Sequence, residues 1–484
     1  SAALAGATGG GGVGAHGFGI SGSCRQAARS EPASTGAPRQ GVTPLQVVFA
    51  AAVDGTNLTG LGYAWDYTTD GLDDVSGPAC QTVTNIYPAL GAYTVTLTVT
   101  NGGGETASFS RVGYVRAGPL TTYVATDGGH SFPYTNWTAA ATNIQAAVDV
   151  ATDGTLVRVS NGTYSVTSQV MVANGVRVRS ENGAGLTTVR RSGGTARVFY
   201  IGHSNAVVDG FTITNGYETT GGGGVYMTGG RLLNCVVASN AVSSSHGGGV
   251  YCERGGMVSN CVIRGNRAPG ANGGGVYAFN GGEVWWSQLT GNSADNGGAL
   301  FLQAGGAAHF CKMKGNTVTA SGGGVYASYG GQLRNCLIYQ NSAAAQGGGV
   351  YGGNCGPPVN CTIVTNSAGG GVGGLLFSWS TVTNNIVYDN TPSNWWIYAA
   401  NFVSSCTTPD PGGTSNITSQ PSLKNPAQER FQLETGSPCI DKGLIMPWMA
   451  TATDLREKAR IFQGAVDIGA YEWVREGGTI FVVH

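Results

Sequence analysis

Cationic side chains outnumber acidic ones in the middle of the chain. Several of the cations occupy equivalent positions in a repeat of about 25 residues. Between residues 221 and 388, seven Lys or Arg residues face only three acids, Glu253, Glu283 and Asp295. Two and four residues before an asparagine that recurs about every 25 residues lie two columns, whose members include Arg264, Gln288, Lys312, Lys314 and Tyr339. If both columns point outward from repeated strands, their cations suit an acidic polysaccharide. Scattered, solvated charges that bind nothing are the alternative.

A second candidate site is a column of aromatic residues with the same period: Tyr226, Tyr251, Tyr277, Phe301, Tyr326 and Tyr351. Each follows Val or Leu, so in a strand one residue of each pair points inward and the other outward. Outward rings would form a stacking platform for sugars, whereas inward rings would simply be core. The sequence leaves both possibilities open.

The sequence spacing does not place together the residues that cleavage of a polysaccharide would need. Glycoside hydrolases need paired carboxylates, and polysaccharide lyases of solenoid fold use a Ca²⁺-binding acidic cluster with a Lys or Arg base. The acids occur one per coil and at different phases: Asp209, Glu253, Glu283, Asp295 and Asp389. We therefore assign no catalytic residue and expect no cofactor, and no acidic cluster supports a structural Ca²⁺ ion.

An enzyme is still an open alternative, because a solenoid site can be assembled from several coils. In that case Lys312, Lys314 or Arg264 would be the basic group of a polysaccharide lyase or glycoside hydrolase on the same face. His246 and His309 fall at unrelated phases and are interpreted as isolated surface or packed residues. Zinc-ligand spacing, a nucleophile elbow and a phosphate-binding loop are all missing from the sequence.

The elements that would position these residues follow from the internal repeat. Segments of the type GGVY begin at residues 223, 248, 274, 298, 323 and 348. Asparagines recur in step with them, at Asn215, Asn240, Asn266, Asn292, Asn316, Asn341, Asn366 and Asn390. A repeat of this length, with strand and turn signals in alternation, predicts one coil of a parallel β-solenoid with coils about 4.8 Å apart. The predicted inward positions are Val237, Ile263, Leu289, Met313, Ile338 and Ile363.

A third column keeps the same phase and explains five of the eleven cysteines: Cys235, Cys261, Ser287, Cys311, Cys336, Cys361 and Asn385. We expect these cysteines to be buried, small core residues that stay reduced, because stacked coils place them too far apart for unstrained disulfides. Any disulfide would then involve the remaining cysteines, whose pairing the sequence does not determine: Cys24, Cys80, Cys252, Cys355, Cys406 and Cys439.

The first 118 residues have a different pattern. Residues 1–41 are rich in Gly, Ala and Ser and predict a flexible lead segment. Alternating strands at 45–49, 62–66 and 93–99 predict a small β-sandwich over 42–118. The strings YAWDYTTDG at 63–71 and GAYTVTLTVTN at 91–101 resemble the PKD-like domain. The resemblance implies that Trp65 is the buried tryptophan of the sandwich and that the domain is a spacer or accessory module.

The ends of the solenoid also have recognisable signals. A short helix predicted at 143–151 would cap the first coil, as in pectin-lyase-like β-helices, which this stretch resembles. The GG and Asn columns resemble the repeats of polymorphic outer-membrane-protein-like surface proteins. The strings SPCIDKG at 437–443, TDLREKARI at 453–461 and VDIGAYE at 466–472 resemble the closing segment of choice-of-anchor-Q β-helix proteins. We therefore expect the β-helix over 119–430 and its closing segment over 431–484.

Composition is consistent with this organisation and excludes other classes. The chain has 484 residues, of which 82 are Gly and only 11% are charged, and its net charge of −1 gives no reason to expect nucleic acid. No apolar run is long enough for a membrane helix. The sequence thus predicts an extracellular or cell-surface, all-β protein that interacts with polysaccharide. The alternatives are the enzyme described above and a structural adhesin rod. The glycan and the oligomeric state are not determined.

Overall fold

A computed structural model describes residues 16–21, 39–54, 58–378, 380–398 and 401–474. The chain divides into two units. The first comprises residues through Tyr123 together with 129–141 and 146–157, and the second comprises 124–128, 142–145 and the chain from Arg158. Each unit is described separately below.

The first unit contains two β-sheets. One has three strands, His16–Ser21, Leu45–Asp54 and Thr82–Tyr87. The other has five, in the order Gln40–Val42, Thr106–Gly118, Gly91–Thr100, Gly62–Asp66 and Val75–Gly77. Their apolar positions alternate with exposed ones, as expected for strands with one buried face. The predicted β-sandwich is thereby confirmed.

Trp65 lies at the centre of the sandwich and is fully buried. Its ring lies 5.6 Å from that of Phe49, and its Nε1 donates a hydrogen bond of 2.8 Å to the carbonyl of Cys80. The sequence-based expectation for 1–41 is wrong in part, because His16–Ser21 forms a strand that pairs in parallel with Leu45–Asp54. Phe18 and Ile20 alternate with small or polar residues there, a short period-2 pattern that favours a strand. Cys24 and the rest of this lead segment, apart from residues 39–41, lie outside the described residues.

Three elements follow the sandwich along the chain: strand Thr121–Val124, helix Ile144–Val150 and strand Leu156–Val159. The helix agrees with the predicted one to within a residue at each end. Ile144, Ala147 and Val148 on one of its faces are buried, which is the amphipathic pattern expected of a helix that covers apolar groups.

The second unit is a parallel β-solenoid whose coils pass through sheets II, IV, III and I in that order. Sheet I contains Arg177–Ser180, Val207–Asp209, Arg231–Leu233, Met257–Ser259, Glu283–Trp285, Ala307–His309, Gln332–Arg334, Pro358–Val359, Val382–Thr383 and Phe402–Val403. Sheet II contains Gly162–Val166, Thr187–Arg191, Thr212–Thr214, Val236–Ala238, Val262–Arg264, Gln288–Thr290, Lys312–Lys314, Leu337–Tyr339, Thr362–Val364, Ile386–Tyr388 and Cys406–Thr407.

The other two sheets complete each coil. Sheet III contains Val170–Val172, Phe199–Ile201, Val225–Met227, Val250–Glu253, Val276–Phe279, Leu300–Gln303, Val325–Ser328, Val350–Gly353, Leu375–Ser378 and Trp395–Tyr398. Sheet IV contains Tyr217–Glu218, Ala241–Val242, Arg267–Asn272, Ser293–Asn296, Thr317–Val318, Ser342–Ala343 and Ser367–Ala368. The predicted inward residues of sheet II, from Val237 to Ile363, are fully buried. The predicted solenoid is confirmed.

The asparagine column forms a continuous buried ladder from Asn240 to Asn390. In each coil the backbone N–H and Nδ2 of the asparagine both donate to Oδ1 of the next, with distances of 2.8–3.0 Å. The expectation for Asn215 is wrong by one residue. The coil at this point has 24 residues, since Thr212 pairs with Val236, and Gly216 therefore occupies the ladder position and donates to Asn240. Asn215 itself is exposed.

The cysteine column is buried, as predicted, but it does more than fill space. The backbone N–H groups of Phe211, Cys235 and Cys311 donate to the sulfur of the next coil at 3.4–3.5 Å. Ser287 and Asn385 accept the equivalent bonds from Cys261 and Cys361. Burial raises the pKa of Cys235 and Cys336, so these groups stay as neutral thiols. All ten cysteines in the part of the chain that the structure describes are free thiols.

The glycine pairs of the repeat lie where consecutive coils approach most closely. A Cβ atom on Gly248 would lie 2.5 Å from the carbonyl oxygen of Arg267 and 2.6 Å from that of Gly274. Only glycine fits between the coils at this point, which explains the GGVY period in steric terms.

After Cys406–Thr407 the chain leaves the coils as a C-terminal segment, here residues 408–474. It contains strands Leu423–Asn425 and Arg430–Leu433 and the 3₁₀ helices Pro426–Gln428 and Pro447–Thr451. The segment packs on the outward face of sheet II. Tyr388 donates to the carbonyl of Thr418 at 3.0 Å, and the N–H of Ala470 donates to Oγ1 of Thr362 at 3.0 Å.

Candidate functional site

The outward face of sheet II contains both predicted columns. The observed register pairs Ala238, Arg264, Thr290, Lys314, Tyr339, Val364 and Tyr388 in one line. The same pairings align Val236, Val262, Gln288, Lys312, Leu337, Thr362 and Ile386 in the other. Both lines flank the buried column of Val237 and its equivalents, so both project away from the core.

The C-terminal segment covers the last coils of this face. Leu337, Tyr339, Val364, Ile386 and Tyr388 form an apolar cluster with Phe431, Leu433, Cys439, Leu455, Ile468 and Tyr471. Tyr339, which the sequence suggested as a ligand-binding residue, is only 6% exposed, and its ring packs 4.8 Å from that of Phe431. The periodic pattern did not predict this cover, because its residues come from a non-repeating part of the chain.

Lys314 lies at the boundary between the covered and open parts of the face. Its Nζ forms an ion pair with Oε1 of Glu429, and the hydroxyl of Tyr339 donates to Oε2 at 3.1 Å. The hydrogen bond from Lys314 lowers the pKa of Glu429, and burial followed by the Glu429 charge raises that of Tyr339. Glu429 has a φ of 60°, a left-handed conformation that is uncommon for this residue type. Lys314 is thus held by an acid and is less available to a ligand than predicted.

On the open part of the face, from Gly162–Val166 to Lys312–Lys314, the remaining predicted residues lie together. Arg264 and Gln288 are exposed and Lys312 is half-buried. Neither outward column contains an acidic residue between Thr163 and Tyr388 among the residues described. A bound anion would therefore meet cations without a competing carboxylate, apart from Glu429 at the boundary.

Sequence reasoning missed the N-terminal end of this basic line. Arg190 pairs with Thr214 and Thr214 with Ala238, so Arg190 occupies the Arg264 column three coils earlier. A step of 24 residues back from Thr214 would have found it. Arg190 and Arg191 line an open cleft of about 580 Å³ together with Asn215, Tyr217 and neighbouring turn residues. Arg191 lies over the Tyr217 ring at 5.6 Å and donates to the carbonyl of Asn215 at 2.8 Å.

The aromatic column of sheet III points outward, which resolves the question that the sequence left open. Val225, Val250, Val276 and their equivalents are buried in the core, and the adjacent tyrosines lie on the other side of the strands. Consecutive rings from Tyr200 to Tyr351 stack on one another with centroids 4.7–5.8 Å apart. Tyr277 and Phe301 are buried between their neighbours, whereas Tyr226, Tyr251, Tyr326 and Tyr351 are half-buried.

This stacking changes what the aromatic column can bind. The ring faces are occupied by other rings, and His246 also stacks on Tyr277 at 4.6 Å. What reaches solvent is ring edges and hydroxyls, so the column is not the open platform for sugar faces that outward rings would otherwise form. Burial raises the pKa of Tyr277 to about 12, and burial and then Glu253 raise that of Tyr226. The hydroxyls of Tyr277 and Tyr226 therefore stay protonated at neutral pH.

The acids and histidines that could do chemistry are dispersed. Asp209 lies in sheet I, where it pairs with Arg177 at 2.6 Å. His309 is stacked on Trp285 at 4.2 Å, and burial lowers its pKa to about 4. Within the described ranges no group of three or more His, Cys, Asp or Glu side chains is placed to hold a metal ion. None of the helices described there is long and apolar enough to span a membrane.

Comparisons with known families agree with this architecture. Residues 33–112 match the model of the PKD domain, and residues 198–391 match the model of the right handed beta helix region. The chain therefore combines a PKD domain with a right-handed parallel β-helix. A search of curated proteins gives no match.

Solved structures with a similar chain path include pectate lyase Pel9A, at 15% identity over 74% of this chain and 97% of that one, with a TM-score of 0.48. Others are ORF18 of Geobacillus virus E2, at 14% identity over 67% and 68% of the two chains and a TM-score of 0.35, and the Agl-KA catalytic domain, at 12% over 76% and 83% and a TM-score of 0.28.

Proposed function

We propose that this protein is an extracellular or cell-surface β-helix that binds anionic polysaccharide along the open face of sheet II, with the PKD domain as a spacer. The observation behind the proposal is the register that aligns Arg190, Arg264 and Lys312 on a face whose outward columns contain no acid. From Arg190 to the Lys312–Lys314 strand there are five coil steps, about 24 Å. A polymer lying along the axis with repeated carboxylates could contact these cations one after another.

The contacts would be individually weak, because each cation is at least partly solvated. An exposed ion pair contributes about 1 kcal/mol or less, and salt screens it. Affinity must therefore come from several contacts made by one polymer, and binding should fall steeply as ionic strength rises. The C-terminal segment limits the face at Lys314, which Glu429 already neutralises.

The test is a triple variant, Arg190→Gln, Arg264→Gln and Lys312→Gln, measured by affinity electrophoresis on alginate and polygalacturonate at low salt. We expect affinity to fall by about tenfold or more, with little change in melting temperature because the three side chains are not core residues. The matched control replaces Arg179, Arg231 and Arg267, which are exposed on sheets I and IV. It removes the same total charge from other faces.

The control should bind like the parent protein. Equal losses in both triple variants would show that binding depends on net charge alone and not on this face. A parent protein that binds neither polymer at low salt would refute the proposal. Analysis of the polymers after incubation, for new reducing or unsaturated ends, tests the enzyme alternative directly.

A further inference from the structure

The corner between sheets I and II has one residue per coil in the left-handed conformation. In consecutive coils from Asn234 to Asn384 these residues have φ values of 49–57° and are Asn234, Asn260, Trp286, Phe310, Asn335, Asn360 and Asn384. Asparagine adopts this conformation readily, whereas bulky aromatic residues rarely do. In two consecutive coils, therefore, Trp286 and Phe310 replace the asparagine that suits this corner, and their backbones are strained there. Such strain persists where something else requires the side chain.

Trp286 and Phe310 form a pair of stacked rings at this corner. Their centroids are 4.1 Å apart and their planes differ by 5°. Since the two residues occupy equivalent positions in consecutive coils, the ring normals run along the solenoid axis. Both side chains are half-buried. Phe310 packs in addition against the apolar cluster under the C-terminal segment, whereas Trp286 is one coil further from it.

The outer face of Trp286 is directed toward the coil of Asn260, which has a much shorter side chain. Asn260 is exposed, and its Nδ2 donates to Oδ1 of Asn234 at 2.7 Å. The indole therefore extends beyond the side chain before it and forms a ledge. This differs from the aromatic column of sheet III, where the rings continue through consecutive coils and cover one another's faces.

The surroundings of this ledge belong to the face proposed above. Gln288 and Lys312 follow Trp286 and Phe310 by two residues and pair with each other in sheet II. A ring stacked on the indole would lie at the level of the coil that contains Val262 and Arg264. The site thus combines an apolar ring face with an amide and cations, which suits a sugar that has an apolar C–H face and a carboxylate at its edge.

We infer that the ledge formed by Trp286 on Phe310 is a stacking subsite for one pyranose ring of a uronate-containing polysaccharide that extends across sheet II. The inference rests on the proposed function and adds the class of sugar and the residue that orients it. The cations supply salt-sensitive attraction, and the indole supplies an apolar contact that fixes where the polymer lies along the axis.

The test replaces Trp286 with asparagine, the residue that occupies the same corner in other coils. Trp286→Asn should fold as well as the parent, because asparagine suits the left-handed conformation and can extend the amide ladder onto Asn260. Its affinity for alginate and polygalacturonate should fall by about tenfold. Because stacking is not ionic, that factor should be the same at low and moderate salt. The loss caused by the triple variant of Arg190, Arg264 and Lys312, called the cation variant below, should instead shrink as salt rises.

Two further variants control the result. Tyr329, at another corner, also has a left-handed backbone, with a φ of 46°, and is 66% exposed. Tyr329→Asn removes its aromatic ring and should bind like the parent. Trp286→Phe keeps a ring at the ledge and should bind within about threefold of the parent. This variant keeps the test decisive even if Trp286→Asn is less stable than expected.

Different results would overturn different statements. If the cation variant loses affinity but Trp286→Asn binds like the parent, the ledge is not a subsite and the proposed function stands. If Trp286→Asn loses binding to neutral dextran as strongly as to the uronate polymers, the sugar class is wrong. If the parent binds no anionic polymer, both proposals fail.

Discussion

Replacing Asn316 with alanine is expected to lower the free energy of unfolding of the solenoid by about 4 kcal/mol, since each buried polar group left without a partner costs about 1–3 kcal/mol. Asn316 is fully buried. Its Nδ2 donates to the carbonyl of Leu289 and to Oδ1 of Asn341 at 2.9 and 2.8 Å, and its Oδ1 accepts from the backbone N–H and Nδ2 of Asn292 at 2.9 and 3.0 Å. Truncation would leave several of these groups unpaired inside the solenoid.

Chemical denaturation followed by circular dichroism measures this effect. The matched control is Asn215→Gly, which removes an exposed asparagine from the same part of the repeat while keeping a residue that suits its φ of 61°. We expect the control to change the midpoint little. An Asn316→Ala protein as stable as the control would show that the ladder does not stabilise the coils.

The second large effect is expected at Arg460, whose side chain is fully buried in the C-terminal segment. Its Nη1 lies 3.1 Å from Oε1 of Glu472, and its Nη2 donates to the carbonyl of Gly469. At a pH above about 8, where Glu472 is ionised, Arg460→Met would leave Glu472 and the nearby Asp467 buried without their cation, which typically costs about 3–5 kcal/mol. We expect the segment to detach from sheet II at lower temperature, and limited proteolysis between residues 408 and 474 would detect it.

The double variant Arg460→Met, Glu472→Gln is the control, because it removes the ion pair as a whole. It should recover most of the lost stability, since a buried pair is often no more stabilising than a neutral replacement. If the double variant is as unstable as Arg460→Met alone, the loss comes from packing and not from the unpaired acid.

The same pair makes stability depend on pH. Burial raises the pKa of Glu472 from its ordinary value of 4.5 to about 8, against the opposing effect of Arg460. Between these values the folded protein retains a proton that the unfolded chain releases. The free energy of unfolding should therefore fall as the pH rises from about 5 to 8, and Glu472→Gln should remove this part of the slope.

Periodicity made the solenoid predictable from the sequence. Each coil repeats an apolar inward residue, a buried asparagine and a glycine-rich segment. A position that is ambiguous in one coil can therefore be assigned from the equivalent positions in its neighbours. The alignment of Arg264 with Lys314 and of Gln288 with Lys312 could be counted directly. The same counting failed at Asn215, which lies 25 residues before Asn240, because the coil there has 24 residues and the ladder position falls on Gly216.

The candidate site was harder to predict because its decisive contacts do not repeat. The burial of Tyr339 and the pairing of Lys314 depend on Phe431 and Glu429, which are about 90 or more residues away along the chain. The sequence pattern raised an outward direction as one of two possibilities for the tyrosine column. It did not show that neighbouring rings stack and cover one another's faces. The ledge at Trp286 was also missed, because the sequence shows an aromatic residue but not its left-handed backbone.

The asparagine ladder has a consequence for how such a protein can change in length. Each rung is made by the same atoms of one residue type, so Asn240 would meet Asn292 in the way it now meets Asn266. Removing or duplicating one whole turn of the chain therefore preserves every rung. Inserting a single residue inside a strand turns the side chains after it to the opposite face. The turns between strands accommodate such changes, since Asn240 and Asn266 are 26 residues apart and Asn292 and Asn316 are 24 apart, and both pairs form rungs. The number of ladder rungs can thus change only by whole turns, and the extent of the charged face along the axis changes in the same increments.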